Sequence, residues 1–282
     1  MRIQGENRKR NRGAFTRTEL LAVTVVILAI AFIWAPKNDA SARAVRQTAC
    51  LENLKQIGAA LAVYSGDNRD KLPYAAIQPR QGMPTTWDRL ISTPLRVALR
   101  GNNLSAPPPP SGRVLRCPKD SIEPVSVDPE NVPGRRSYAM TAHKMNRSNW
   151  PPSEYNSTGV GLFWSAYRKR GNSYLASIEG APTLPAITRD MIHDPAATIA
   201  ITEQAHAENF LNRPKFSTVK ATLEHVDETI LPLDSLHDGK INYLMADGHA
   251  ELLAPEDTVG PEGDVSDAAD THFGMWTIVS GD

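Results

Sequence analysis

An uncharged apolar run near the amino terminus constrains the fold of this chain more than any other feature. The run extends from Leu20 to Ala35, is followed by Pro36, and comes after a basic cluster at residues 8–12. Sixteen helical residues rise about 24 Å. The helix therefore crosses the roughly 30 Å hydrocarbon layer only if the turn at residues 15–19 also enters it. The basic cluster predicts a cytoplasmic amino terminus, with the rest of the chain across the membrane.

A cleaved secretory signal peptide is the alternative interpretation of this region. It would use the basic cluster, the apolar run and the small residues of Ala40-Ser41-Ala42, which suit a signal peptidase. The apolar run is at or beyond the upper length of a signal peptide's apolar region. In addition, Glu19 opens the run, where an unpaired carboxylate costs free energy.

Charge is unevenly distributed, although the 282 residues include 31 basic and 31 acidic side chains. Residues 1–46 contain nine Lys or Arg against three Asp or Glu, whereas residues 221–282 contain one Lys and fourteen acidic residues. A nucleic-acid-binding face would require basic and aromatic residues spread over the folded region. We therefore expect no nucleic acid among the partners. The 22 prolines favour loops and short strands over a helical bundle.

The residues before and within the apolar run resemble the prepilin processing motif. They read Gly13-Ala14-Phe15-Thr16-Arg17-Thr18-Glu19-Leu20-Leu21. The resemblance implies cleavage by a prepilin peptidase after Ala14, a methylated amino terminus at Phe15, and Glu19 as the fifth mature residue. Cleavage after Gly13 is the other alignment.

In that family the glutamate has a physical role, because a carboxylate in an apolar setting is tolerated when paired. The amino-terminal ammonium group of a neighbouring subunit can supply the partner of Glu19 during assembly. Arg17 and Thr18 stand where aliphatic residues are usual in the family. Arg17 can pair with Glu19 within the chain or extend to the lipid headgroups.

A second helix is predicted between Arg43 and Tyr64. Apolar residues recur there at alternating spacings of four and three, on one helical face, from Cys50 onwards. We expect this amphipathic helix to continue the membrane helix, with a kink or break at Pro36. Residues 65–68 end it.

Further motifs resemble one pilin-like group of bacterial proteins, which carry a prepilin leader and a carboxy-terminal H-x9-DG motif. His237 and Asp247-Gly248 reproduce that spacing. The other matching positions are residues 50–58, Tyr64, Asp67, Pro73, Arg116-Cys117-Pro118 and Ser137-Tyr138-Ala139-Met140. Much of residues 146–185 and the acidic end of the chain lie outside the resemblance.

Two cysteines, Cys50 and Cys117, are the whole thiol inventory. Two thiols alone cannot close a zinc site. In an oxidising compartment they can form one disulfide across a long loop. The alternative is two unpaired buried thiols, and the sequence provides no Cβ geometry that would decide between these states.

The residues of the H-x9-DG motif predict a β-hairpin: a strand at 241–246, a turn at Asp247-Gly248, and a return strand at 249–253. A metal site built from His237, Asp238, Asp247 and His249 is the competing interpretation. A six-residue strand is about 20 Å long, so His237 and Asp247 cannot bind one ion. We therefore interpret the motif as structural or interfacial.

Cofactor and catalytic motifs find little support. Calcium is a possible ligand near the end of the chain, because hard oxygen ligands recur there at Glu256, Asp257, Glu262, Asp264, Asp267 and Asp270. Their spacing fits no EF-hand, and we favour a solvated acidic loop as the explanation. The seven histidines form no H-E-x-x-H motif, and no G-x-S-x-G or nucleotide-binding glycine motif occurs. We expect no enzyme.

We therefore predict an α+β protein in which a long amino-terminal helix packs on an antiparallel sheet, as in pilins, with large loop insertions. The predicted divisions are a leader peptide at 1–14, a transmembrane helix at 15–36, its amphipathic continuation at 37–66, a periplasmic or extracellular domain at 67–255, and an acidic tail at 256–282.

The resemblance implies a structural subunit of a type II secretion or type IV pilus-like system. It would be a single-pass protein of the bacterial inner membrane, and its partners would be the prepilin peptidase and other pilin-like subunits. One alternative is an exported soluble binding protein with a cleaved signal peptide. The other is a membrane-anchored metal-dependent hydrolase.

Overall fold

A computed structural model describes residues 16–34, 38–79, 81–100, 111–123, 125, 134–143, 158–165, 186–219, 236–261 and 274–279. The chain divides into two compact units, Met1–Ala44 and Val45–Asp282. The predicted α+β class is confirmed, because helices and two β-sheets build the second unit.

Helix α1, Arg17–Trp34, begins with a reciprocal cap. The backbone N–H of Glu19 donates to Thr16 Oγ1 (3.3 Å), and the Thr16 N–H donates to the Glu19 carboxylate (2.9 Å). Large apolar side chains on α1 are exposed, among them Leu20 and Val26. Within the part of the chain that the structure describes, none of the helices is both long and apolar enough to cross a membrane.

Helix α2, Asn38–Asp67, has one face in the core of the second unit. Cys50, Leu54 and Ile57 are fully buried, and Leu61 is nearly so, which matches the face that the sequence spacing predicts. The junction with α1 at residues 35–37 lies outside the described residues.

The remaining elements are short. The helices are α3 Trp87–Leu90, α4 Ser92–Arg100 and α5 Ser111–Val114. The strands are β1 Ala76–Gln78, β2 Thr85–Thr86, β3 Tyr138–Thr141, β4 Phe163–Ser165, β5 Ile199–Glu203, β6 Thr218–Val219, β7 Ile241–Met245 and β8 Ala250–Leu253. Three 3₁₀ turns occur at Arg189–Met191, Pro255–Thr258 and Gly274–Trp276. Strands β7 and β8 overlap the two strands of the predicted hairpin and pair antiparallel.

Both sheets are mixed, so the prediction of an antiparallel sheet was wrong. The larger sheet has the order β6-β3-β5-β7-β8, and β3 and β6 are parallel. The smaller sheet has the order β2-β1-β4, and β1 and β4 are parallel. Parallel neighbours require a long crossover, and these two pairs are each connected by scores of residues.

The larger sheet has apolar clusters on both faces, which explains why β7 is buried along its whole length. On one face Leu244 and Ile201 share a cluster with the buried face of α2. On the other face Tyr243 and Met245 share a cluster with Trp276. Within the predicted acidic tail, Trp276, Thr277 and Ile278 are buried, and Trp276 and Ile278 belong to these apolar clusters.

Candidate functional site

Cys50 of α2 and Cys117 of the loop after α5 form a disulfide with a Cα–Cα distance of 5.1 Å. Hydrogen bonds to the backbone carbonyl groups of this loop hold it in position. Asn53 Nδ2 of α2 donates to the Arg116 carbonyl (3.1 Å), and the Ser137 N–H donates to the Leu115 carbonyl (2.8 Å). In the chain-entropy model, a bridge across 67 residues stabilises the fold by about 4 kcal/mol.

Next to the disulfide lies a buried polar group of Glu203, His237 and Asn242. His237 Nε2 lies 2.8 Å from Glu203 Oε1 and 3.6 Å from Cys117 Sγ. The other carboxylate oxygen of Glu203 accepts the backbone N–H of Asn242 (3.0 Å), and Asn242 Nδ2 donates to Oε1 (3.1 Å). A buried carboxylate is tolerated when it is hydrogen-bonded in this way.

Tyr138 on β3 is paired in register with Glu203 on β5. Burial first, and then the negative charge of Glu203, raise the pKa of Tyr138 well above its ordinary value. Its phenol therefore stays neutral beside the carboxylate.

Two consecutive arginines form a second buried charged network. Arg135 pairs with Asp120 (2.7 Å), which also accepts the Ser137 hydroxyl (2.6 Å). Arg136 pairs with Asp88 (2.6 Å) and lies over the Trp87 ring at 5.5 Å. Burial lowers the pKa of both guanidinium groups, and the carboxylates oppose that shift. A guanidinium nevertheless remains charged in a protein.

The Asp247-Gly248 half of the H-x9-DG motif lies in the β7–β8 turn, where Gly248 has a φ of +102°. A Cβ added to Gly58 of α2 would lie 2.8 Å from the Gly248 carbonyl oxygen and 2.9 Å from Leu244 Cδ1. The absence of a side chain at Gly58 therefore lets the helix approach the turn closely. This contact connects residues 50–58 with the H-x9-DG motif, which are two separate parts of the sequence resemblance.

Asp247 itself is partly exposed and bonded to His249. Its Oδ1 accepts the His249 N–H (3.0 Å) and lies 2.6 Å from His249 Nδ1. Partial burial opposes the shift, but these bonds together lower the pKa of the Asp247 carboxyl below its ordinary value. The imidazole also approaches Glu251 (3.3 Å).

The structure does not bring together the four residues of the competing metal hypothesis. His237 contacts Asn242 near the start of β7, whereas Asp247 and His249 follow its end. Instead, it brings Cys50, Cys117, Glu203 and His237 together, with one ligand atom of each within 4.8 Å of the others. All four side chains are buried.

Other predicted site residues have different positions. Gly13, Ala14 and Phe15 lie outside the described residues, as do Glu262, Asp264, Asp267 and Asp270 of the calcium hypothesis. Glu19 is exposed on α1. Asp257 Oδ2 accepts the Ala254 N–H (3.3 Å) at the start of a 3₁₀ turn, and Glu256 is exposed beside it.

Sequence reasoning missed the roles of Glu203 and Asn242. One signal was present for each: Glu203 directly follows the apolar residues Ala197–Thr202, and Asn242 interrupts the apolar strand 241–246. A polar residue in a buried strand needs a partner. Nothing in the sequence names that partner, because His237 and Glu203 are 34 residues apart.

Comparison of the chain with protein-family models, with curated proteins and with solved structures finds no match. The interpretation of the site therefore rests on the geometry of the described residues. The polar group around the disulfide is enclosed, because Cys50, Cys117, Glu203 and His237 are each at most 1% exposed. Such a group can join α2 to the sheet, but in this conformation a substrate cannot reach it.

Proposed function

We propose that this chain is a pilin-like or pseudopilin-like structural subunit, held in the bacterial inner membrane by its amino-terminal helix and assembling through it. One observation carries the proposal: the large apolar side chains of α1 are exposed between Leu20 and Ile27, at 49–66% of their full area. Apolar surface on this scale favours transfer into a bilayer or against neighbouring helices. The proposed span, residues 15–36, also includes positions outside those described.

The position of Glu19 supports assembly through the same helix. Its carboxylate is exposed and bonded only locally, to the N–H and the hydroxyl of Thr16, among the contacts of the described residues. A stronger, charged partner can replace these bonds. In the proposal, that partner is the methylated amino terminus of a neighbouring subunit, exposed by a prepilin peptidase that cleaves before Phe15.

The second unit supports the proposal through α2. Its buried face belongs to the same core as β3, β5 and β7, and the disulfide and the Gly58–Gly248 approach connect it to the rest of the unit. This arrangement is what a pilin-like domain requires, since the sheet must be attached to the helix that enters the assembly.

An exported soluble binding protein is the second candidate, and one observation favours it. The second compact unit begins at Val45, and only Arg43 and Ala44 separate it from the small residues Ala40-Ser41-Ala42. Cleavage there would leave that unit whole. The two proposals therefore differ in whether α1 stays attached to the mature protein.

Extraction of membranes at alkaline pH tests the proposal with a matched pair of variants of the full chain. Val26 of α1 and Val63 of α2 are both exposed valines, at 55% and 41%. A carboxylate within a membrane helix costs roughly 2.5–3.5 kcal/mol. We expect Val26→Asp to reduce the fraction of protein that stays in the membrane pellet, whereas Val63→Asp leaves it unchanged. Complete release of the unaltered chain by alkaline extraction would contradict the proposal.

A further inference from the structure

The group beside the disulfide contains four residues with metal-ligating side chains. Cys50, Cys117, Glu203 and His237 come from α2, the loop after α5, the end of β5 and the segment before β7. They are separated by up to 187 positions in the chain, yet one ligand atom of each lies within 4.8 Å of the others. Four buried ligands of this kind are the usual number for a structural zinc site.

The sulfur–nitrogen distance within the group is close to that expected for two ligands of one ion. With Zn–S near 2.3 Å and Zn–N near 2.0 Å, tetrahedral geometry separates sulfur from nitrogen by about 3.5 Å. His237 Nε2 and Cys117 Sγ are 3.6 Å apart. Thiolate, imidazole and carboxylate together are a ligand set that suits zinc, whereas calcium and magnesium prefer oxygen alone.

The hydrogen bonds around His237 leave a conflict that a cation would remove. Nε2 lies 2.8 Å from Glu203 Oε1 and also 2.8 Å from Asn242 Nδ2. If Nε2 is protonated, it donates to the carboxylate but faces the amide N–H group. If it is unprotonated, it accepts from the amide but faces a carboxylate oxygen. A cation bound by Nε2 and Oε1 would remove the repulsion between the lone pairs of these two atoms, and the Asn242 amide could still donate to Oε1.

Asn242 would then serve as an outer partner of the ion. Its backbone N–H and its Nδ2 both donate to the Glu203 carboxylate, which fixes the orientation of that ligand. Hydrogen bonds of this kind commonly hold metal ligands in place.

We propose that, in the reduced protein, Cys50, Cys117, Glu203 and His237 bind one zinc ion. This ion and the disulfide would be mutually exclusive cross-links between α2 and the loop after α5. A dithiol reductant would transfer two electrons and two protons to the bridge. It would become a cyclic disulfide and leave Cys50 and Cys117 as thiols. Zinc binding would then release both thiol protons. Reoxidation by thiol–disulfide exchange with a small-molecule disulfide would take up two protons, reduce that disulfide to two thiols, re-form the bridge and release the ion.

The test compares two redox forms of the full chain in detergent. One sample is refolded with a phosphine reductant and zinc, because the bridge is buried in the folded protein, and the other is refolded oxidised with zinc. After gel filtration, elemental analysis counts the bound ions. We expect one zinc per reduced chain and none in the oxidised chain. Equal zinc content in the two forms would overturn the proposal, as would a reduced chain that fails to fold with zinc.

Cobalt identifies the ligands, since thiolate-to-cobalt charge transfer and tetrahedral visible bands report sulfur coordination. We expect the double variant Cys50→Ser with Cys117→Ser to abolish the charge-transfer band, and His237→Ala to weaken cobalt binding at least tenfold. His249→Ala is the matched control, because this exposed histidine lies beyond the other end of β7 and its loss should leave the spectrum unchanged. A thiolate band that survives the double serine variant, or that disappears with His249→Ala, would overturn the assignment. Because this assay does not depend on α1, its failure is distinguishable from failure of the proposed function.

Discussion

The two halves of the H-x9-DG motif lie at opposite ends of strand β7 and in opposite surroundings. At one end His237 is buried, and its partner Glu203 is buried with it. At the other end His249, just after the Asp247-Gly248 turn, is exposed between two carboxylates. Both ends therefore contain a histidine beside acidic groups, but only the first pair is removed from water.

This contrast indicates that the motif has two physical roles. In the buried pair, each polar atom depends on its partner, since water cannot replace a lost bond. In the exposed group, water and salt weaken the attraction between charges, so its contribution to stability is small. What the turn contributes instead is backbone shape: Gly248 adopts a positive φ, and Gly58 of α2 lies against it.

The largest effect is expected from Glu203→Ala, compared with Glu251→Ala at the exposed end. Loss of the buried carboxylate leaves His237 and the Asn242 N–H without their acceptor. The free energy of unfolding should therefore fall by about 3–5 kcal/mol. Loss of Glu251, whose distance to His249 is 3.3 Å, should change it by less than about 1 kcal/mol. Urea unfolding of the oxidised full chain in detergent measures both.

A similar loss of unfolding free energy for the two glutamate variants would contradict the proposed difference between the two ends of β7. Glu203→Gln refines the comparison, because the amide oxygen can still accept a hydrogen bond from Asn242 while the negative charge is removed. A partial recovery by Gln relative to Ala would separate the contribution of the hydrogen bonds from that of the negative charge.

A smaller effect is expected at the turn, from Gly58→Ala. Alanine favours the helix by roughly 1 kcal/mol, but its Cβ would meet the Gly248 carbonyl, and such overpacking costs about 1–3 kcal/mol. We therefore expect a net loss of stability. Gly66 of the same helix is the matched control, since no atom lies within 4 Å of a Cβ placed there. Gly66→Ala should stabilise the chain by up to about 1 kcal/mol.

The same unfolding measurement checks both glycine variants. A gain in stability for Gly58→Ala equal to that for Gly66→Ala would mean that the close approach of α2 and the turn carries no energetic weight.

Local features were predictable from the sequence because their physical causes are local. The spacing from Cys50 to Leu61 identified the buried face of α2, and Asp247-Gly248 identified the β7–β8 turn. Long-range partners were not predictable. The parallel pairing of β1 with β4 depends on contacts between distant segments, and so does the buried pair of Arg136 with Asp88, 48 residues apart.

The candidate site divides in the same way. His237 was identified by its spacing from Asp247-Gly248, which is a property of the sequence. Its partner Glu203 lies on another strand, and only the register of β5 beside β7 brings the carboxylate to the imidazole. The sequence also left two states open for Cys50 and Cys117, since the distance between their Cα atoms depends on where the loop after α5 lies.

The most direct test of the central claim, that α1 stays attached to the mature protein and anchors it, is the intact mass and amino-terminal sequence of the mature chain. The protein should be recovered from a bacterium that contains a prepilin peptidase. We predict a chain that begins with N-methylated Phe15 and retains α1. A mature chain that begins at Ser41 or Arg43, in the soluble fraction and without α1, would contradict the account.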